Sequence, residues 1–268
     1  MRSMHQVKEL LQAALGWGAF AAGAAMIAGC GGGGPSSKTV TAAPSPAPIV
    51  LEAARPLPLS AVRLTGGPLK HAQDLDARYL LELEPDRMMA GYRARAGLEP
   101  KAEGYGGWDA VQSRQLTGHI AGHYLSAVSL LYAATGDARF KDRADYLVRE
   151  MKEVQDRHGD GYLGAVLGTQ GSQRGGGPNA DANSAGAQAQ IPGVVLDKDG
   201  QPLRDNRGNV LIHGKELFNQ LSRGVIRSGG FDLNGMWSPW YTLHKTYAGL
   251  RDAYRYTGNR TALEVEVR

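Results

Sequence analysis

The chain has 268 residues, with 30 Lys and Arg against 26 Asp and Glu and a formal net charge of +4. That length suits one large domain or two small ones. The basic residues are scattered, with no basic block and no zinc-knuckle spacing, which argues against a nucleic-acid partner.

Arg2 and Lys8 precede an apolar run, LLQAALGWGAFAAGAAMIAGC, and Glu9 slightly dilutes the positive start. A charged start and an apolar stretch ending in small residues predict a secretory signal over 1–30. Its end, IAGC at 27–30, resembles a bacterial lipobox, in which the Cys30 thiol receives a diacylglyceryl group. The competing reading is a transmembrane anchor, since the run is near bilayer length. Its Ala and Gly are weakly hydrophobic, so the lipoprotein reading is preferred. It expects an exported chain, lipid-anchored to the cell envelope in the periplasm or at the cell surface. Cys30 is the only cysteine. Once lipidated, it leaves no disulfide and no thiolate metal ligand. Residues 31–58, rich in Gly, Pro, Ser and Ala, read as a flexible tether.

The folded part is expected over 59–268. HAQDLDARYLLELEPDR reads as a helix with Leu75, Tyr79 and Leu83 on one stripe. Pro85 ends or kinks it, and a second short helix runs to Gly97. After a loop, Leu116, Ile120, Ala127 and Leu131 predict an apolar helical stripe over 116–132. Gly136 is placed as its C-cap and Asp137 as the N-cap of the next helix. That helix carries Phe140, Ala144, Leu147, Met151 and Val154 on one face. The short Gly-Asp turn predicts an αα-hairpin. Tyr132, Thr135, Gly136 and Asp137 match Tyr254, Thr257, Gly258 and Asn259, a repeat of that device. The fold class is therefore mainly α, a toroid or barrel built of αα-hairpins. Between the repeats, 169–212 reads as an insertion: a low-complexity loop, then a small β-hairpin pairing 194–196 with 210–212 across Asp-Gly and Arg-Gly turns. KELFNQLSRGVI reads as a short helix. The last helix stops after about two turns, which suggests a domain cut through a repeat unit.

Three segments carry glycines, aromatics and polar groups at helix ends: YGGWD, GDGYLGAV and GGFDLNGMWSPWYTLHK. Aromatic faces beside a few polar groups suit a sugar pocket. His119 and His123 are four residues apart, at the edge of the apolar stripe. An HExxH metal site is excluded because Ile120 stands where the glutamate would be. Three readings stay open: pocket-lining histidines, buried helix supports, or two metal ligands completed by His244 or Asp109. Gly118 and Gly122 let a neighbouring backbone come close on any of these. Trp108 and Trp240 read equally as sugar platform or core, whereas Trp237 reads as packing. Asp109, Asp160 and Asp232 lie near the glycine-rich turns, and Asp160 reads as a turn residue.

Together, YGGWD, LTGHIAGHYLSA, YAATGD, GDGYL and GGFDLNGMWSPWYTLHKTYAGLRDAYRYTGN resemble the β-L-arabinofuranosidase families, glycoside hydrolase families 127 and 146, from about Arg63 to Asn259. The resemblance implies an (α/α)6 catalytic barrel and retaining removal of terminal arabinofuranose or a related sugar. It also implies a cysteine nucleophile on a zinc ion held by three cysteines and a glutamate, with a glutamate as acid/base. Those residues follow the WYTLHK segment in family members. No catalytic residue or metal ligand is therefore expected in this chain, and zinc is expected only in the complete family member. What carries over is the sugar-binding side: His244 foremost, then His119, His123 and Trp108, with Asp109, Trp240 and Tyr241 around them. Two departures stand out. Asp109 replaces a typical Glu, and EVEVR replaces a continuing helix. The expected function is the N-terminal part of a retaining arabinofuranosidase acting on arabinose-containing glycans. The alternatives are a non-catalytic glycan-binding lipoprotein and an inactive truncated product.

Overall fold

The computed structural model describes residues 54, 56–112, 116–169 and 192–268. The chain divides into two units, Met1–Ala53 and Ala54–Arg268, and all the described residues belong to the second. The signal, the Cys30 lipobox, most of the tether and nearly all of the low-complexity loop lie outside the described residues.

The described part is mainly helical with small antiparallel sheets. Helices α1 (Gly67–Glu82) and α2 (Pro85–Arg95) meet at Pro85. The residue before it is extended, as proline requires, and Pro85 opens α2, where its missing N–H costs nothing. The face of α1 differs from expectation. Leu75 is 47% and Tyr79 60% exposed, while Ala77, Leu80 and Leu81 rest on the core. Two apolar stripes compete on this helix, and hydrogen bonds decide between them. The Tyr124 hydroxyl donates to the Leu80 carbonyl, and the Arg143 guanidinium to those of Leu81 and Leu83.

Helices α3 (His119–Thr135) and α4 (Ala138–His158) form the first hairpin. Gly136 takes the left-handed conformation at the turn, and the Asp137 carboxylate accepts from the Arg139 amide. All five expected residues of the α4 face are fully buried. The α3 stripe is rotated from the expected one: Ala121, Leu125 and Val128 are fully buried, and Ile120 and Leu131 only partly. Leu116 lies before the helix, in the loop. An apolar helix packed on several sides has no single stripe to read.

Among the described residues, three further helices follow: α5 (Gly214–Ser222), α6 (Pro239–Thr257) and α7 (Arg260–Val267). The α6–α7 hairpin repeats the first. Gly258 is left-handed, and the Asn259 side chain accepts from the Ala262 amide. Thr135 and Thr257 each donate to the carbonyl four residues back, at 2.6 Å in both. The most extensive helix contact joins α3 to α6. A Cβ on Gly122 would lie 2.2 Å from the Lys245 carbonyl oxygen, and one on Gly249 2.6 Å from that of Gly122. The two backbones touch, and only glycine fits.

The expected β-hairpin is more elaborate than a two-strand pairing. Strand β2 (Leu211–His213) pairs antiparallel with β1 (Leu167–Thr169), whose last residue was read as the start of the loop. On the other side of β2, Val194 bridges Ile212. Val195 donates to Leu211, Leu203 to Val195, and Leu211 to Leu203. These residues recur every eight positions, with turns closed by Asp197 and Asp205, whose carboxylates accept amides two and four residues on. A three-stranded meander follows: β3 (Ser228–Gly229), β4 (Asp232–Leu233) and β5 (Met236–Trp237). It is fastened to β1, since the Thr169 amide donates to the Gly235 carbonyl at 2.9 Å.

Candidate functional site

Two loops converge on the N-terminal ends of α3 and α6. The first carries Trp108 and Asp109 on a 3-10 turn, Gly107–Asp109. Trp108 is 57% exposed, whereas Asp109 is buried. The Asp109 Oδ1 atom accepts from the Gly118 amide at 2.8 Å and lies 3.4 Å from His119 Nδ1. Gly118 is left-handed, and a Cβ there would meet the Tyr92 ring at 2.9 Å. That requirement places the glycine, and with it the start of α3.

His119 and His123 are placed differently although they share a helix face. His119 is buried. Its Nδ1–H donates to the Leu116 carbonyl at 2.8 Å, because a carbonyl can only accept. Burial disfavours its charged form, but Asp109 and the Leu116 carbonyl outweigh burial and hold its pKa above the ordinary value. His123 is exposed, with Nε2 3.0 Å from the Tyr241 hydroxyl. Burial of its ring, then the charges of Lys245, His119 and His244, hold its pKa down. His244 is exposed one turn along α6 from Trp240. Lys245 Nζ lies 5.1 Å from the centre of the Tyr241 ring. The Tyr241 ring is 6.0 Å from that of His119 and 6.1 Å from that of His123.

Beside this polar cluster opens an aromatic cleft of about 690 Å³. Its walls include Trp108, Leu116, Phe231, Asp232, Trp237, Trp240 and Tyr241. Phe231 is 69% and Trp240 61% exposed, and Trp240 leans on Phe218 with ring centres 5.5 Å apart. Trp237, read as packing, is half-buried and also faces the cleft. Sequence reasoning does not single out Phe231, although a lone aromatic after Gly229-Gly230 was the available signal. The loop that carries it is braced by Asn234, which is buried with positive φ, accepts from the Arg227 amide and donates to the Val225 carbonyl. Burial holds the Asp232 carboxyl above the usual carboxylate range, against the Gly235 amide that it accepts. Asp160 sits in a turn and pairs with Lys215 at 2.9 Å.

Among the described residues, no group of three or more His, Cys, Asp or Glu is placed to hold a metal. Neither Asp109 nor His244 completes a site with the histidine pair. The single cysteine, Cys30, lies outside the described residues. A three-cysteine zinc site therefore does not fit the residues present. The arrangement can instead accept a polar, hydroxyl-rich group at the histidines and an apolar surface in the cleft.

No curated protein matches the sequence. Residues 61–268, nearly all of the second unit, match the family model for the beta-L-arabinofuranosidase GH127 catalytic domain, an α/α toroid fold of a glycoside hydrolase with a carbohydrate substrate, and the chain belongs to that family.

Proposed function

We propose that this chain is the sugar-binding part of a retaining β-L-arabinofuranosidase acting on arabinose-containing glycans. The observation that carries the reading is the continuity of the aromatic cleft with the His123–Tyr241 pair through a shared wall residue, Tyr241. In this reading His123, His244 and the Tyr241 hydroxyl meet sugar hydroxyls, while Asp109 and His119 fix the helix that carries His123. The nucleophile is not among these residues, because a cysteine–zinc centre cannot be assembled from Cys30 alone. The second reading is a non-catalytic glycan-binding lipoprotein, in which the same cleft and histidines hold a sugar without cleaving it.

Calorimetric titration with methyl β-L-arabinofuranoside tests the sugar site. Saturable binding that His244→Ala abolishes is expected, and no binding by the folded chain overturns the reading. An aryl arabinofuranoside assay of this chain beside any longer product of its gene separates the two readings. Hydrolysis by this chain alone would show that its nucleophile is present after all. For the N-terminus we propose an exported lipoprotein, anchored to the cell envelope through Cys30. The Arg2 and Lys8 start and the IAGC end of the apolar run support it. Labelling with a fatty-acid analogue should mark the chain and fail to mark Cys30→Ser.

A further inference from the structure

We infer that the glycan residue next to the arabinofuranose is acidic: a uronic acid whose ring lies in the aromatic cleft and whose carboxylate meets Lys245. The inference rests on the sugar-binding reading above and adds the charge of the ligand's second residue.

Three observations carry it. The first is an unpaired cation. Lys70, Lys101, Lys141, Lys152 and Lys215 each stand in an ion pair. Lys245 is half-buried and stands in none among the described residues, where its Nζ also makes no hydrogen bond. A partly desolvated ammonium without a partner costs free energy that an anionic ligand recovers. The second is its place. Tyr241 and Lys245 are one turn apart on α6, and Nζ lies 5.1 Å from the centre of the Tyr241 ring. That ring walls the cleft, and its hydroxyl meets His123 at 3.0 Å. Lys245 thus stands where the cleft joins the polar cluster, and its charge reaches His123. At the meander, Arg227 bonds Gln220 at 3.0 Å, forms no ion pair among the described residues, and its charge reaches Asp232. The nearby carboxylates oppose an anion only weakly. Asp109 is engaged with the Gly118 amide and His119, and burial disfavours the charged form of Asp232. The balance of charge around a ligand therefore favours an acidic one. The third is the lining of the cleft. Trp108, Phe231 and Trp240 offer flat faces to the C–H face of a sugar ring. The Ser228 and Ser238 hydroxyls make no bond among the described residues and are free to meet sugar hydroxyls. A volume of about 690 Å³ leaves room for a pyranose beside the furanose.

Calorimetric titration of the full chain with methyl β-L-arabinofuranoside and three disaccharides tests this. The disaccharides carry β-L-arabinofuranose, in one linkage, on galacturonic acid, on galactose or on galactose 6-sulfate. The galacturonic acid compound is expected to bind about tenfold more tightly than the galactose compound. That advantage should shrink in 1 M salt, which screens the charge. Lys245→Met should abolish it and leave methyl arabinofuranoside binding unchanged, whereas Lys245→Arg, which keeps the charge, should retain most of it. Should Lys245→Met fail to fold, the comparison of disaccharides and its salt dependence in the parent chain still decide. Equal affinity for the galacturonic acid and galactose compounds overturns the inference and leaves the sugar site standing. An advantage that survives in folded Lys245→Met also overturns it, because the carboxylate is then held elsewhere. A sulfate compound that binds as tightly as the galacturonic acid compound overturns the assignment to a uronic acid. No binding of any of the four, methyl arabinofuranoside included, removes the sugar-binding reading and this inference together.

Discussion

Helices α3 and α6 lead hairpins that end alike and begin differently. Both close with a left-handed glycine, a threonine bonded back to its own helix and an Asp or Asn cap. At its start, α3 is pinned: Gly118 and His119 are buried against Asp109, Tyr92 and the Leu116 carbonyl. The start of α6 is open. Ser238 caps it without a side-chain bond, and Trp240, Tyr241 and His244 all face solvent. A repeat unit thus spends one end on stability and leaves the other free to vary. Here one hairpin holds the frame and the other presents the binding groups.

Substitutions can break that contrast, and the largest effect is expected where the helices touch. Gly122→Val drives a side chain into the α6 backbone and should cost about 3 kcal/mol, read as the shift in urea midpoint. An unchanged midpoint would mean that the α3–α6 approach is looser than described. Asp109→Ala strips the buried Gly118 amide of its acceptor and should cost about 1–3 kcal/mol. Trp240→Ala, at the open end, should leave the melt nearly unchanged and weaken glycoside binding. If the two exchanged roles, the division between frame and binding end would fail.

The caps sharpen the comparison within the matched ends. Asp137→Ala and Asn259→Ala should each cost about 1 kcal/mol. Asn259→Ala should cost the more, because the Asn259 amide also donates to Asp145 of α4 at 2.7 Å. The Asp137 carboxylate pairs only with exposed Arg139, which contributes little.

The smallest effect is a titration. The folded-state pKa of His119 is raised, so its contribution to stability is fully present below the unfolded imidazole value and is lost as pH rises through the folded one. That of His123 is lowered, so protonation as pH falls favours the unfolded chain. The two slopes oppose each other, and the lowered pKa values of His158 and His213 add to that of His123, so stability alone should not separate them. NMR titration should resolve them, with His119 protonating at higher pH than His123. Asp109→Asn should narrow the gap, and a reversed order would refute the pinned arrangement.

The sequence was legible where one helix face decides. Phe140, Ala144, Leu147, Met151 and Val154 repeat on a helix whose other face is charged, so only one orientation buries them. The Gly136-Asp137 turn was legible because its backbone demands those residues. α1 misled because Leu80 and Leu81 compete with Leu75 and Tyr79, and polar partners from α3 and α4 choose between them. The site was legible as a set of segments and not as a geometry. His119 and His123 look equivalent in the sequence, and what separates them is Asp109, brought in by a loop that ends before α3. Phe231 sits in a loop braced by the buried Asn234, whose side-chain bonds to residues seven and nine positions back no periodicity carries.

Strand β2 has a neighbour on each side, β1 on one and Val194 on the other. Thr169 and Val194, the described residues near the two ends of the intervening segment, are therefore held about two strand spacings apart, roughly 10 Å. A segment tethered between fixed posts changes the free energy of the fold only slowly with its length, by about 0.6 kcal/mol for each doubling. An insertion between Thr169 and Val194 would thus need only to span that distance, with the meander that walls the cleft still fastened to β1 through the Thr169–Gly235 bond.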